Sequence, residues 1–176
     1  MLAATTAAVA TGVATVVAGR GGRGGVVLEP GGRAPDFELS GSDGRVYRLT
    51  EMIRAGQIVV IAWFPKAFTP GCTAECESLG ASSHEMRQIG VRLFGASVDT
   101  PAANARFAQS LGIDYPILSD PGGTVARAYG VLGASGFASR WTFYIGRDGR
   151  ILDIDRRVKA SLHGRDIVTK LRALGS

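Results

Sequence analysis

Cysteine is scarce in this chain, which carries only Cys72 and Cys76 among its 176 residues. Two cysteines four positions apart cannot build the disulfide framework that holds many small secreted domains together. Histidine is equally scarce, with His84 and His163 alone. The close pair of cysteines therefore indicates redox or metal chemistry at one place in the chain.

Clusters of basic residues are also lacking, although the chain is basic overall. Its formal net charge is +5, from 20 Lys and Arg against 15 Asp and Glu. A nucleic-acid-binding surface would require basic residues grouped with aromatic ones, and here the arginines are scattered. We therefore expect a solvated, mildly basic surface and no nucleic-acid partner.

The first 18 residues lack charge altogether and are rich in Ala, Thr and Val. An export signal normally places Lys or Arg before its apolar run, and none precedes this one. The residues are also too small and too rich in threonine for a convincing membrane span. An export signal, a disordered extension and a misassigned start codon all remain open, and the missing basic residues favour a cytoplasmic location over export.

The composition changes after this segment. Residues 20–25 alternate Arg with Gly, which is typical of a flexible linker. We therefore place the domain boundary near Leu28. Residues 1–27 form an apolar extension with its linker, and residues 28–176 form one domain, a length that suits a single hydrophobic core.

Within that domain, strand patterns alternate with helix patterns. Apolar runs and apolar–polar alternation predict strands at 36–39, 45–49, 58–64, 91–98, 115–118, 141–145 and 151–154. Helical spacing and helix-stop glycines predict helices at 50–56, 72–89, 101–111, 120–129 and 164–174. This order predicts a three-layer α/β/α sandwich with a mixed central sheet.

Both cysteines follow the uncharged strand 58–64. Cys72 is expected in the first turn of the next helix, where unpaired N–H groups and the positive end of the helix dipole favour a thiolate over a thiol. Thr69 is placed to cap that helix, or to offer its hydroxyl to a molecule approaching the sulfur. Pro65 stiffens the loop, and Gly71 permits a close approach. The plain alternative is a buried structural cysteine.

The pattern Pro65-x-x-x-Thr69-x-x-Cys72 resembles the active-site signature of the peroxiredoxins. The run Thr69-Pro70-Gly71-Cys72-Thr73 is similar to the branch related to the bacterioferritin-comigratory protein, also called peroxiredoxin Q. Supporting segments follow in the matching order, at 34–37, 43–44, 115–120, 140–145 and 148–149. The resemblance extends from Leu28 to the C-terminus and implies a thioredoxin-like version of the α/β/α sandwich.

This resemblance implies an enzyme that reduces hydrogen peroxide and alkyl hydroperoxides with no cofactor and no metal. The Cys72 thiolate would attack a peroxide oxygen and become a sulfenic acid. The Thr69 hydroxyl, the Cys72 N–H and the Arg140 guanidinium would stabilise the developing negative charge. Pro65 would shield the sulfur from water, and Glu75 would orient the hydrogen-bond network. Without the resemblance, Arg140 would be an ordinary surface arginine and Glu75 an acid suited to a first helical turn.

Cys76 departs from that branch, in which a resolving cysteine often lies five residues after the reactive one, a position held here by Glu77. The four-residue spacing puts Cys72 and Cys76 on one helix face, with Cβ atoms about 6 Å apart, whereas a disulfide needs about 4 Å. We expect the first turns to unwind after oxidation, so that a Cys72–Cys76 disulfide forms. A thioredoxin-like dithiol reductant would then reduce it. The alternative is a one-cysteine enzyme reduced externally, and in either case we expect a monomer or a weak homodimer.

A rival interpretation comes from a different class of protein. A Cys-x-x-x-Cys pair on this type of fold also occurs in copper chaperones of the Sco type, where a distant histidine is a further ligand. His163 lies at a suitable distance along the chain. Against this, the Arg140 charge would oppose a cation, and His163 before Gly164 fits a residue that opens a helix. General dithiol exchange proteins are a third class, but they prefer two residues between their cysteines.

Overall fold

The computed structural model describes residues 27–175 of the protein. The strands in that range are β1 (Glu38–Gly41), β2 (Val46–Arg48), β3 (Ile58–Trp63), β4 (Val91–Ser97), β5 (Ile117–Ser119), β6 (Thr142–Ile145) and β7 (Ile151–Asp155). The helices are α1 (Leu49–Arg54), α2 (Pro70–Gln88), α3 (Pro101–Leu111), α4 (Thr124–Ala128) and α5 (His163–Ala173), with a 3₁₀ turn at Ala160–Leu162.

The strands form one mixed sheet in the order β2-β1-β5-β4-β3-β6-β7. Its centre is parallel, because β4 pairs in parallel with both β3 and β5. β6 joins β3 in the antiparallel sense, and β1 joins β5 in the same way. All six residues of β3 are buried, as expected for a central strand that is covered on both faces. The predicted mixed sheet is confirmed.

Helices cover both faces of this sheet. One apolar cluster holds Met86 of α2, Phe107 of α3 and Leu171 of α5. The cluster on the opposite face holds Met52 of α1 and Ala126 of α4. The fold is therefore the thioredoxin-like three-layer α/β/α sandwich that the sequence predicts.

The start of α5 lies unusually close to α2. A Cβ atom at Gly164 would overlap the carbonyl oxygen of Ser78, so no residue with a side chain fits there without movement of the backbone. The Gly164 N–H instead donates to the Ser78 hydroxyl at 3.1 Å. This close approach brings the first residue of α5 to the part of α2 that carries the cysteines.

Several predicted elements begin later than expected, and α4 shows the largest difference. α4 starts at Thr124 rather than at Asp120, because the Asp120 carboxylate accepts the Thr124 N–H at 3.1 Å and the Ala126 N–H at 2.7 Å. Asp120 therefore stabilises the helix start from outside the helix. β1 and β5 each start two residues later than predicted, at Glu38 and Ile117.

The predicted extension and linker, residues 1–27, lie outside the described residues except for Val27, so that boundary stays a prediction. Within 27–175, no helix combines the length and the apolar character needed to cross a membrane.

Candidate active site

The loop from β3 to α2 is held in a fixed shape. The Ala67 N–H donates to the Asp99 carboxylate at 2.9 Å. Phe68 adopts a positive φ of 62°, an uncommon conformation for a residue with a bulky side chain, and its side chain is exposed. Thr69 follows as the residue that precedes the first turn of α2, but its side chain does not cap the helix. Its hydroxyl donates instead to the Lys66 carbonyl oxygen at 2.9 Å, which leaves the oxygen lone pairs free to accept.

Cys72 lies in the first turn of α2, as predicted. Pro70 opens the helix, and its missing N–H costs nothing at that position. The first intrahelical bond runs from the Thr73 N–H to the Thr69 carbonyl oxygen, so the Cys72 N–H precedes the bonded part of the helix. The Cys72 side chain is 1% exposed and its thiol is free. Its sulfur is thus kept from bulk water while an unpaired donor and the helix dipole face it.

Arg140 reaches this sulfur from the residue pair that precedes β6. β6 pairs directly with β3, and this pairing returns the chain to the loop that follows β3. The Arg140 Nη2 atom lies 3.3 Å from the Cys72 Sγ atom. A Cβ atom at Gly71 would lie 3.4 Å from the same nitrogen, so the glycine leaves room for the guanidinium. Arg140 is therefore a partner of the thiol rather than an ordinary surface arginine.

Glu75 lies one helical turn after Cys72 and is fully buried. Its Oε2 atom forms an ion pair with the Nη1 atom of Arg140. Taking a carboxylate out of water is costly, and a close partner with opposite charge offsets much of that cost. The alternative role as an acid in the first helical turn is wrong, because α2 begins at Pro70 and Glu75 lies in its second turn. Glu75 instead holds the guanidinium whose other nitrogen faces the sulfur.

His163 is a residue whose place beside Glu75 the sequence reasoning missed. It opens α5, as expected, but it is buried to 1% exposure and lies beside Glu75. Its Nδ1 atom is 2.8 Å from Glu75 Oε1, although the pair lacks good hydrogen-bond alignment, and its Nε2 atom is 2.7 Å from the Thr142 hydroxyl. Burial lowers the pKa of His163 to about 4, so the ring is neutral near pH 7. No sequence spacing reveals this contact, because it depends on how α5 packs against α2. His84, in contrast, is exposed, as predicted.

Cys76 shares the buried face of α2 with Cys72 but has apolar surroundings. It is fully buried, and burial raises the pKa of its thiol to about 12. Tyr115, also buried, donates its hydroxyl to the Cys76 carbonyl oxygen at 3.0 Å. In the folded protein Cys76 is therefore an unreactive thiol.

The copper-chaperone alternative is not supported. Across residues 27–175, no group of three or more His, Cys, Asp and Glu side chains is arranged to hold a metal ion. The two ring nitrogens of His163 face Thr142 and Glu75, and a charged guanidinium lies at the Cys72 sulfur.

Comparison with known proteins agrees with this geometry. Residues 30–154 match the AhpC/TSA family. Peroxiredoxin Bcp of Escherichia coli is 34% identical over 148 residues, which cover 80% of this chain and 93% of that protein. A putative peroxiredoxin of Mycobacterium tuberculosis is 34% identical over 154 residues, covering 85% of this chain and 99% of the relative.

Solved structures give the same result. The crystal structure of peroxidoxin BcpB from Mycobacterium tuberculosis superposes with a TM-score of 0.77 at 33% identity, covering 85% of this chain and 100% of that chain. A Xanthomonas campestris bacterioferritin comigratory protein, whose structure was described for its alkyl peroxide reduction activity, superposes with a TM-score of 0.75 at 29% identity, covering 85% and 99%. The family implies a peroxide substrate and, in general, a thioredoxin-like reductant. This chain belongs to the AhpC/TSA family and is a thiol-dependent peroxidase of the peroxiredoxin type.

Proposed function

We propose that Cys72 is the nucleophile that reduces hydrogen peroxide and alkyl hydroperoxides, and that Cys76 resolves the oxidised product. The single observation that carries the first part is the 3.3 Å separation between Arg140 Nη2 and Cys72 Sγ at the start of α2. A permanent positive charge and the helix N-terminus together favour the thiolate, which is the nucleophilic form.

The first step is a displacement at oxygen. The Cys72 thiolate attacks one peroxide oxygen, the S–O bond forms with the sulfur electron pair, and the O–O bond breaks. The departing oxygen takes that bond's electrons and the proton of the attacked oxygen, and leaves as water or as an alcohol. The sulfenate left on Cys72 then takes a proton from solvent water. Sulfur is oxidised to the sulfenic acid and the peroxide is reduced.

The surrounding groups suit the charge that develops in this step. The Arg140 guanidinium and the Cys72 N–H donate to the two peroxide oxygens as negative charge spreads over them. The Thr69 hydroxyl is already used as a donor to Lys66, so its oxygen accepts a hydrogen bond from the peroxide O–H and orients the substrate. This role differs from the donor role that the sequence predicts for Thr69. The half-buried Pro65 limits the access of water to the sulfur.

The second step needs a change in α2. Cys76 is buried and protonated in the folded helix, and neither the spacing nor the protonation state suits attack on a sulfenic acid. Unwinding of the first turns exposes Cys76 to water, which returns its pKa towards the ordinary range and lets the two sulfurs meet. The Cys76 thiolate then attacks the Cys72 sulfur, the disulfide forms, and the S–O bond breaks. The sulfenic oxygen leaves as hydroxide, which takes a proton from solvent and becomes water.

The loop before α2 favours this unwinding. Phe68 holds a costly positive φ in the folded state, and release of the loop would relieve it. A thioredoxin-like dithiol would then reduce the exposed disulfide and return the helix to its folded form.

We propose that the enzyme acts as a monomer or weak homodimer in the cytoplasm.

The test is an anaerobic stopped-flow reaction of the reduced, metal-free protein with hydrogen peroxide. Fluorescence of Trp141, which adjoins Arg140, reports the change, and the remaining thiols are counted afterwards. Wild type should lose two thiols, and Cys76→Ser should lose one and hold a sulfenic acid that a dimedone probe traps. Loss of a single thiol in wild type would remove the resolving role of Cys76. Oxidation of Cys72 no faster than that of a free thiol would overturn the proposal for Cys72.

A further inference from the structure

A second set of contacts continues from the reactive sulfur into the protein interior. Glu75 uses its two carboxylate oxygens on different partners: Oε2 pairs with Arg140, and Oε1 faces His163 Nδ1 at 2.8 Å. His163 Nε2 in turn lies 2.7 Å from the Thr142 hydroxyl. Glu75, His163 and Thr142 are each buried to 1% exposure or less, so water does not compete for these contacts.

The chemistry of the partners fixes which ring nitrogen carries the proton. A carboxylate oxygen can only accept, so the close approach of Glu75 is favourable only when Nδ1 carries the ring hydrogen. Because the ring is neutral, Nε2 then has a lone pair and accepts from the Thr142 hydroxyl. Within residues 27–175, neither Nδ1 nor Glu75 Oε1 has a hydrogen-bond partner of good geometry, so the 2.8 Å contact between them is the polar contact that each retains in the interior.

The imidazole is itself held firmly. Thr142 belongs to β6, which pairs with both β3 and β7 inside the sheet. His163 is followed by Gly164, whose backbone packs directly on α2 at Ser78. The ring is thus fixed from the sheet on one side and from α2 on the other, whereas the Arg140 side chain is 23% exposed.

We propose that His163 is a positioning residue for the peroxidase reaction, which fixes the Glu75 carboxylate and through it the Arg140 guanidinium against Cys72. This inference rests on the proposed role of Arg140 at the Cys72 sulfur. A carboxylate held at one oxygen alone can rotate and carry the guanidinium away from the sulfur. A carboxylate held at both oxygens keeps Arg140 Nη2 aimed at the position where negative charge develops.

The experiment compares three substitutions in the full-length enzyme. His163→Leu removes both polar contacts, His163→Asn keeps an amide N–H close to the place of Nδ1, and Thr142→Val removes the outer hydroxyl. Leu171→Ala, in the same helix as His163 and in the apolar cluster that holds both cysteines, is the matched control for a general loss of stability. Two quantities are measured: the second-order rate constant with hydrogen peroxide, and the pH profile of Cys72 alkylation by iodoacetamide in a Cys76→Ser background.

His163→Leu should lower the peroxide rate constant by about tenfold and move the alkylation profile to higher pH, because misplacement of a charge-stabilising group weakens both effects. His163→Asn should keep most of the wild-type rate constant and an alkylation profile close to that of wild type. Leu171→Ala should lower stability and leave the alkylation profile in place. Thr142→Val should shift both quantities in the direction of His163→Leu, by a smaller factor.

The outcomes separate this inference from the proposal on which it rests. If folded His163→Leu matches wild type in both measurements while Arg140→Gln is slow, His163 has no positioning role and Arg140 keeps its own. If Arg140→Gln also matches wild type, the proposed role of Arg140 at Cys72 and the positioning role of His163 are both wrong. If His163→Leu does not fold, Thr142→Val decides the question, and a rate and profile equal to wild type would overturn the inference.

Discussion

Cys72 and Cys76 lie one turn apart on the same face of α2, and both are buried, yet their surroundings differ in kind. Cys72 faces the guanidinium of Arg140 and the open end of the helix. Both cysteines belong to one apolar cluster, but the polar neighbour of Cys76 is the neutral phenol of Tyr115, which donates to its carbonyl oxygen. The comparison teaches that two thiols with the same burial can have different polar neighbours. The role proposed for Cys72 depends on those neighbours and not on burial alone.

The largest effect is expected from removal of the reactive member of this pair. Cys72→Ser should lower the rate of peroxide reduction by roughly a thousandfold or more, because a serine hydroxyl is a far weaker nucleophile than a thiolate. Peroxide consumption with a dithiol reductant in excess measures this. Cys76→Ser is the matched control and should keep the first oxidation fast. A fast oxidation in Cys72→Ser would reverse the assignment of the two thiols.

The second-largest effect is expected from Arg140, whose charge distinguishes the surroundings of Cys72 from those of Cys76. Arg140→Gln should lower the rate constant for peroxide by roughly 100-fold, because it removes a charged donor from the developing negative charge. Arg140→Lys should recover only part of the loss, since an ammonium group cannot contact Glu75 and the sulfur through one planar fork. Stopped-flow kinetics under the same conditions measures both variants. Equal rates for Arg140→Gln and wild type would mean that the helix terminus alone activates Cys72.

A smaller effect is expected from His163, whose neutral imidazole makes the stability of the protein depend on pH. The pKa of His163 is lowered by burial from 6.5 to about 4, so between these values the unfolded chain binds a proton that the folded chain does not. Stability is therefore lost as the pH falls through that window. Between about pH 7 and pH 5, this group should cost about 2 kcal/mol of the free energy of unfolding. Urea titrations measure it, and His163→Gln should show a flatter pH dependence than wild type; parallel curves would contradict the assignment.

The smallest effect is expected on the Cys76 side. Tyr115→Phe removes the hydroxyl that donates to the Cys76 carbonyl oxygen and should lower the free energy of unfolding by about 1 kcal/mol. The hydrogen bond from Tyr115 holds the start of α2, which must unwind before the disulfide can form. Disulfide formation after oxidation should therefore become several-fold faster in Tyr115→Phe. Urea unfolding and the second fluorescence phase measure the two effects. A slower second phase would show that Tyr115 assists the resolving step rather than restraining α2.

The sequence was sufficient to predict the parts of the site that are local or that follow a motif. The strand, the proline-bounded loop and the helix start predicted the position of Cys72, and the motif predicted Arg140 as its partner. The contact between His163 and Glu75 could not be predicted, because it depends on the packing of two helices 86 residues apart at Ser78 and Gly164. The start of α4 was wrong because Asp120 caps the helix from several residues upstream, a contact that no propensity encodes.

Gly164 has no functional group, yet its backbone lies where a side chain would overlap α2. Any larger residue would act as a wedge between the two helices and carry the neighbouring imidazole away from Glu75. In a saturation-mutagenesis library selected for survival under peroxide, position 164 should therefore be depleted almost as strongly as position 72. A glycine at a helix junction would then be scored as if it were part of the catalytic apparatus.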